Sequence, residues 1–149
     1  MRLIELLDPG RVVVDLRATS KHGLLEALAR LLAPPGVDLA VLEALSEREA
    51  LGSTALGEGV ALPHGRCPAL AAPAAAFVRL ARPVNFGASD RKPVDLVCAL
   101  VTPAHFTEGH LSLLAEVAAR FSDASCLKAL RGAADATAVR AELAKWGQG

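Results

Sequence analysis

The chain has 149 residues, of which 52% are hydrophobic and 3% are aromatic, and its 16 basic and 16 acidic residues leave no net charge. This length suits a single domain spanning residues 1–149 around one core. Proteins that stack nucleic-acid bases need aromatic rings, and nucleic acids and anionic membranes attract basic chains. The composition therefore argues against both kinds of partner.

The cysteines and the N-terminus indicate a reduced, cytoplasmic protein. Cys67, Cys98 and Cys126 include no closely spaced pair, which argues against a structural zinc site or a redox dithiol. The first residues lack the apolar core and the cleavage site of a signal peptide. No segment approaches the roughly 20 consecutive apolar residues of a membrane span. We therefore expect a cytoplasmic location and no membrane insertion.

In chain order, hydrophobic periodicity and turn residues predict helices and strands that alternate. The first part is predicted to hold one or two helical turns in residues 2–7, a strand over 12–16, and helices from Ser20 to Leu32 and from Asp38 to Leu51. Ser20 and Asp38 are the expected N-caps of the two longer helices. Gly52 is expected to end the second one.

The remainder is predicted to contain strands at 59–62, 75–80 and 94–101 and helices at 110–121, 125–131 and 137–146, with a turn-rich connection at 83–93. The strand at 94–101 is the most apolar, so we expect it at the centre of the sheet. The element order predicts an α/β fold: a single layered domain with a mixed β-sheet of about five strands and helices on both faces.

A glycine-rich loop lies between the second long helix and the strand at 59–62. It contains a Ser-Thr pair at 53–54, so it offers backbone N–H groups and two hydroxyls to an anion. Gly52 and Gly57 have the spacing of the first half of a nucleotide-binding P-loop. Such a loop requires a Lys and a Ser or Thr next, and Glu58 stands where the Lys should be, so nucleotide binding is not expected.

His64 follows the predicted strand at 59–62. Pro63 denies that strand any further ladder bond, which directs the histidine towards a surface or cleft, and Gly65 allows another backbone to approach closely. Imidazole changes protonation near neutral pH, so this histidine is a candidate reactive group, although a lone histidine after a strand is usually structural. Cys67 is either a redox-sensitive neighbour or a half-buried small apolar residue.

Two further side chains are candidates for binding an anion. His110 lies at a predicted helix start, where the helix field favours an anion, but a capping or surface role fits equally well. Arg48 could bind a phosphoryl group bidentately, or it could lie with Glu49 on a solvated face. His22 and His105 are expected at the surface. A weak alternative is a zinc site formed by His64, His105, His110 and Cys67.

Five segments carry a resemblance: 48–54 (Arg-Glu-Ala-Leu-Gly-Ser-Thr), 57–66 (Gly-Glu-Gly-Val-Ala-Leu-Pro-His-Gly-Arg), 90–97, 102–103 (Thr-Pro) and 110–115 (His-Leu-Ser-Leu-Leu-Ala). Together they resemble the type-2 IIA domains of the bacterial phosphotransferase system, the fructose and mannitol class. The likeness spans nearly the whole chain and is nearest to the stand-alone nitrogen-regulatory branch. Arg91 stands where the family often has Gly, at what should be a surface turn.

The resemblance implies that His64 is the phosphorylated histidine and that His110 is the second histidine of the site. It implies further that Arg48 and Thr54 flank the phosphoryl group. Gly52 and Ser53 are expected to belong to a phosphate-binding loop. No cofactor, metal or nucleotide is implied. The implied phosphoryl donor is a histidine-containing phosphocarrier protein of the HPr or NPr type, and the implied downstream partners are regulatory target proteins or a IIB domain.

Three functions compete. The first is a regulatory phosphocarrier, the second is a sugar-uptake IIA component that passes phosphate to a IIB partner, and the third is a non-catalytic ligand- or metal-binding module. We expect the first, because no IIB domain or membrane segment is appended. Phosphoryl transfer would need His64 in its neutral form, with one ring N–H held by an acceptor. The expected docking surface is an apolar rim of Leu56, Val60, Leu62 and Leu111.

Overall fold

Six strands and six helices are found in residues 1–147, the part of the chain that the computed structural model describes. The strands are β1 (Val12–Leu16), β2 (Ala55–Gly57), β3 (Val60–Ala61), β4 (His64–Arg66), β5 (Ala74–Val84) and β6 (Val94–Thr102). The helices are α1 (Leu3–Leu6), α2 (Lys21–Leu32), α3 (Asp38–Ala50), α4 (Glu108–Phe121), α5 (Ala124–Gly132) and α6 (Ala136–Leu143).

The strands form one mixed sheet in the order β1-β5-β6-β3-β2, and β4 pairs with β6 beyond the end of β3. Strand β6 is antiparallel to β5 and parallel to both β3 and β4. The predicted mixed sheet with a central, strongly apolar strand is therefore confirmed. The sheet has six strands instead of about five, because two short strands were not predicted: β2 within the glycine-rich loop and β4 directly after Pro63.

Alternate residues of the central strands pack into two apolar layers, one on each face of the sheet, because successive side chains of a strand point to opposite faces. In β6, Val97 and Ala99 pack with α2 and α3, whereas Leu96, Cys98 and Leu100 pack with α1, α4, α5 and α6. Both faces of the sheet are thus covered by helices, as predicted. Within residues 1–147, none of these helices is both long enough and apolar enough to cross a membrane.

The helix starts differ in how well the sequence predicts them. Ser20 caps α2 as expected, since its Oγ accepts a hydrogen bond of 3.0 Å from the N–H of Gly23. For α3 the predicted cap is wrong: Val37 occupies the cap position and Asp38 is the first helical residue. Helix α4 begins earlier than predicted, after Thr107, and α6 ends at Leu143, earlier than predicted.

The prediction that strand pairing stops at Pro63 is wrong. The proline lacks only its N–H, and its carbonyl still accepts a hydrogen bond of 3.0 Å from the N–H of Leu100. Pairing then continues in β4, where His64 lies opposite Leu100. The close approach predicted at Gly65 is confirmed, because a Cβ there would lie 2.9 Å from the carbonyl oxygen of Ala44 in α3.

The connection between β5 and β6 is shorter than predicted, because β5 continues through Pro83 to Val84. Arg91 is exposed in the remaining turn, and its φ of 62° lies in the left-handed region that favours glycine. A surface turn at Arg91 was expected from the glycine that the resembling family often has there.

Candidate functional site

His64 is half-buried at the start of β4, and its ring has one defined partner. The Nδ1 atom lies 2.8 Å from the carbonyl oxygen of Leu62. A carbonyl oxygen can only accept, so Nδ1 carries the hydrogen in the neutral ring. The geometry thereby assigns the lone pair to Nε2, which is the nitrogen able to act as a nucleophile.

His110 has the opposite hydrogen-bonding pattern. Its Nδ1 accepts a hydrogen bond of 3.2 Å from the N–H of Thr107, and its own backbone N–H donates to Thr107 Oγ1 at 3.2 Å. These reciprocal bonds close the first turn of α4. The neutral ring then carries its hydrogen on Nε2, so His110 is a buried hydrogen-bond donor.

Phe106 brings the two histidines into one aromatic cluster. Its ring centroid lies 5.7 Å from that of His64 and 6.3 Å from that of His110, and both contacts are edge-to-face. Sequence reasoning did not identify Phe106. The available signal was a single large apolar residue in the polar loop between the last strand and α4.

Arg48 lies at the C-terminal end of α3, beside the glycine-rich loop. Its Nη1 donates a hydrogen bond of 2.9 Å to the carbonyl of Gly52. Gly52 ends the helix as predicted: its N–H donates to the Glu49 carbonyl at 3.1 Å, and its φ of 149° favours glycine. One N–H of the guanidinium is used in this contact, and a guanidinium has five.

The two hydroxyls of the loop have acceptors inside the protein. Ser53 Oγ donates to the carbonyl of Phe86 at 2.7 Å and accepts from the N–H of Ala55 at 3.1 Å. The hydroxyl of Thr54, a buried residue, donates to the carboxylate of Glu49. Both hydroxyl hydrogens therefore determine the shape of the loop in this structure and are not directed at an external anion.

The loop and His64 are connected through Leu62. Its N–H donates a hydrogen bond of 3.1 Å to the carbonyl of Thr54, and its carbonyl accepts from His64. The loop and His64 are thus bonded to the same residue, Leu62, through its N–H and its carbonyl. The structure places His110 beside the same histidine through the ring of Phe106.

A solvated face was one of the two interpretations of Arg48 and Glu49, and it is wrong for Glu49. Its side chain is buried and forms an ion pair of 2.9 Å with Lys21. The sequence contains a signal for this burial, because Val41, Leu45 and Glu49 are spaced four residues apart and share one face of α3. Val41 and Leu45 are core residues, so the third member of the row also faces inward.

The expected apolar rim is present only in part. Leu56 and Leu111 are exposed, but Val60 and Leu62 are buried in the layer beneath α4, so the prediction is wrong for these two. Val60 pairs with Leu96 in the interior of the sheet. Leu51, next to the loop, is also exposed and was not predicted.

The remaining candidates lie apart from the cluster. Cys67 is buried in the layer beneath α3, on the opposite face from His64, which supports its interpretation as a small apolar residue. His22 and His105 are exposed, as expected, and His105 Nδ1 lies 3.4 Å from Nη1 of Arg66. Among residues 1–147, no group of three His, Cys, Asp or Glu side chains could hold a metal ion, so the zinc alternative has no support.

Comparison with known proteins is consistent across sequence and fold. Residues 5–146 match the family described as "Phosphoenolpyruvate-dependent sugar phosphotransferase system, EIIA 2". A nitrogen regulatory protein of Pseudomonas aeruginosa is 41% identical over 142 residues, which cover 93% of this chain and 92% of the relative. A nitrogen regulatory protein of Bradyrhizobium diazoefficiens is 39% identical over 146 residues, with coverages of 97% and 95%.

The fold comparison includes the crystal structure of the nitrogen regulatory protein IIA-Ntr from Neisseria meningitidis. It matches with a TM-score of 0.89 at 39% identity, over 94% of this chain and 97% of that one. The family match alone spans all six strands and helices α2 to α6. The chain therefore belongs to the EIIA 2 family of the phosphoenolpyruvate-dependent sugar phosphotransferase system, among relatives that are nitrogen regulatory proteins.

Proposed function

We propose that this protein is a regulatory phosphocarrier whose His64 accepts a phosphoryl group on Nε2. The observation that carries the proposal is the 2.8 Å hydrogen bond between His64 Nδ1 and the Leu62 carbonyl. It holds the neutral ring in the tautomer with a lone pair on Nε2, and the half-buried ring remains within reach of a partner protein. Family membership and the similarity to nitrogen regulatory proteins support this function.

The proposed donor is a phosphorylated histidine-containing phosphocarrier protein of the HPr or NPr type. The nitrogen–phosphorus bond of the donor breaks and its electron pair returns to the donor nitrogen, while the lone pair of His64 Nε2 forms the new bond to phosphorus. The proton on Nδ1 stays on the ring, against the Leu62 carbonyl. Such a transfer needs in-line geometry and stabilisation of the charge on the three equatorial oxygens.

In this proposal His110 and Arg48 supply that stabilisation. His110 offers an Nε2–H donor, and Arg48 offers the guanidinium N–H groups that do not bond to Gly52. The backbone of Gly52, Ser53 and Thr54 forms the wall of the site, and the hydroxyls of Ser53 and Thr54 hold that wall in place. The transition state is therefore stabilised by positioning and electrostatics, with no cofactor in the mechanism.

Phosphorylation would change the partner that the protein binds, because it adds nearly two negative charges at His64. We propose that Leu51, Leu56 and Leu111 form the contact surface for the phosphocarrier and for regulatory targets in the cytoplasm. The family description, which names a sugar phosphotransferase system, favours one alternative: transfer to a IIB partner during sugar uptake. Transfer of labelled phosphate from the purified protein to a IIB domain would favour that alternative.

The test is incubation with phosphoenolpyruvate, the first enzyme of the system and the phosphocarrier protein, followed by intact-mass measurement. The wild-type protein should gain the mass of one phosphoryl group, and the His64→Ala variant should gain none. A matched control is His22→Ala, which removes an exposed histidine of α2 and should not prevent the gain. A wild-type protein that stays unmodified, or a gain that survives His64→Ala, would contradict the proposal and favour a binding module without phosphoryl transfer.

A further inference from the structure

An ion pair adjoins the glycine-rich loop, between Lys21, whose side chain is partly exposed, and Glu49, whose side chain is buried. We infer that its members, Lys21 and Glu49, are positioning residues that hold the Leu62 carbonyl against Nδ1 of His64 and so maintain the reactive tautomer. The role of that tautomer in phosphoryl transfer rests on the function proposed above. The arrangement itself is a property of the unphosphorylated protein and can be measured without any transfer.

Glu49 is the centre of the arrangement. Its side chain is 4% exposed, and its Oε1 lies 2.9 Å from Nζ of Lys21. The same Oε1 accepts a hydrogen bond of 3.1 Å from the backbone N–H of Thr54, and Oε2 accepts from the Thr54 hydroxyl. A buried carboxylate needs both a cation and hydrogen-bond donors, and here Lys21 and Thr54 supply them.

Lys21 connects α2 to two further segments. Its Nζ donates to the carbonyl of Phe86 at 3.3 Å and lies 4.4 Å from the centroid of the Phe86 ring. The carbonyl of Phe86 also accepts the hydrogen of Ser53 Oγ. Ser53 is therefore bonded to Phe86, and Thr54 is bonded to Glu49. Lys21 contacts both Phe86 and Glu49, so these contacts hold the loop against α3.

Two further hydrogen bonds connect Thr54 to His64 through Leu62. The Thr54 carbonyl accepts the N–H of Leu62 at 3.1 Å, and the Leu62 carbonyl accepts Nδ1–H of His64 at 2.8 Å. Leu62 is thus bonded to the loop through its N–H and to His64 through its carbonyl, while its neighbours Ala61 and Pro63 are bonded to β6. We expect a shift of the loop to remove the bond to the Leu62 N–H and to change the orientation of Leu62 between its two anchored neighbours, which releases the ring to exchange its hydrogen between Nδ1 and Nε2.

The direct test is the tautomer of His64 in the unphosphorylated protein, read from long-range proton–nitrogen correlations of the imidazole. The wild-type ring should be protonated at Nδ1. Lys21→Met and Glu49→Gln should each produce a mixture of tautomers. Lys21→Arg, which keeps the cation, should show the same spectrum as the wild type. Glu142→Gln removes a carboxylate from the surface pair with Lys145 and serves as the matched control with no change.

The rate of His64 phosphorylation provides the second measurement. Lys21→Met and Glu49→Gln should each slow it about ten-fold, because a misplacement of about 1 Å can cost about 10²-fold and the displacement expected here is smaller. The double variant should be no slower than the single variants, since both remove one ion pair. The side chain of Lys21 is 29% exposed, so its variants test the inference even if Glu49→Gln does not fold.

The outcomes separate the two proposals. A His64 that keeps Nδ1–H in Lys21→Met, with an unchanged phosphorylation rate, overturns the positioning role and leaves the proposed function standing. A wild-type protein that accepts no phosphoryl group overturns the proposed function. In that case the tautomer spectra of the same variants still decide whether Lys21 and Glu49 orient the ring.

Discussion

At His64 and His110 the backbone assigns opposite roles to the same type of side chain. A carbonyl faces Nδ1 of His64, and an N–H faces Nδ1 of His110, so the two neutral rings present a lone pair and a donor, respectively, on Nε2. One ring is thereby suited to attack phosphorus and the other to stabilise an oxygen on it. Because the partners are backbone groups, each role depends on the chain path near the ring.

Replacing His110 should slow phosphorylation without unfolding the protein. His110→Ala removes a proposed donor to the transferring group, and the loss of one such donor typically lowers a rate by about 10²-fold. The measurement is the initial rate of phosphorylation by the phosphocarrier. The matched control His22→Ala should keep the wild-type rate, and a His110→Ala rate equal to that of the control would contradict the role.

Cys98 should be chemically inert in the folded protein. Burial in β6 raises the pKa of its thiol to about 12, so almost no thiolate forms near neutral pH. Treatment with iodoacetamide at pH 8 should leave Cys98 unmodified, as judged by peptide mass. Cys126 is only partly buried and, although burial also raises its pKa, should react first. Equal modification of the two cysteines would show that the strand opens more readily than the structure indicates.

At the residue scale, the sequence predicts which residues are candidates for the site better than it predicts what each side chain contacts. The candidates His64, His110 and Arg48 come from local patterns and from the family resemblance. The orientation of a ring depends on a carbonyl or N–H that only the folded chain brings near it. Phe106 and Lys21 were missed for this reason, since the contacts of Phe106 with His64 and of Lys21 with Phe86 join residues distant in sequence.

Among the elements, α3 and β4 form the frame behind the site. Gly65 lies against the backbone of Ala44, and Leu100 and Val101 of β6 pair with His64 and Gly65. The long helices and strands were predictable because each carries its own hydrophobic period. The short strands β2 and β4 were not, because three residues carry no period and pair only when their neighbour is present.

The packing of α3 on β4 should not tolerate a side chain at Gly65. In Gly65→Ala the new Cβ would lie 2.9 Å from a backbone carbonyl, which cannot turn aside as a side chain can. We expect a loss of about 1–3 kcal/mol in the free energy of unfolding, the usual cost of overpacking. Denaturant unfolding measures it. Gly132→Ala, with nothing within 4 Å of the added Cβ, is the control, and an equal effect of both substitutions would contradict the packing described.

Helix α5 should lose part of its stabilisation in acid. Hydrogen bonds from the hydroxyl of Ser125 and from the N–H groups of Cys126 and Ser125 lower the pKa of Asp123 below its ordinary value of 3.8. The folded-state pKa is the lower one, so the contribution is complete above the unfolded-state value and disappears as the pH falls through the folded-state value. The difference in Tm between wild type and Asp123→Asn should shrink as the pH falls below about 4. A constant difference from pH 7 to strongly acidic solution would contradict this assignment.

On the scale of the whole molecule, a sheet between two helical layers holds the site at the end of β3, where β4 begins. His64, Phe106 and the start of α4 lie on one side of the sheet, and α3 with Arg48 lies on the other. The two sides meet at the glycine-rich loop. Because the chain has no net charge, the proposed phosphoryl group would make the molecule a net anion and add its charge at one place on the surface.

The most direct test of the account is the location of the phosphoryl group on the nitrogen-labelled protein after transfer from the phosphocarrier. Phosphorus–nitrogen and proton–nitrogen correlations identify the modified residue and the modified ring atom together. The structure predicts phosphorus bonded to Nε2 of His64, with the hydrogen retained on Nδ1 beside the Leu62 carbonyl. Phosphorus on Nδ1 of His64, or on any other residue, would contradict the account.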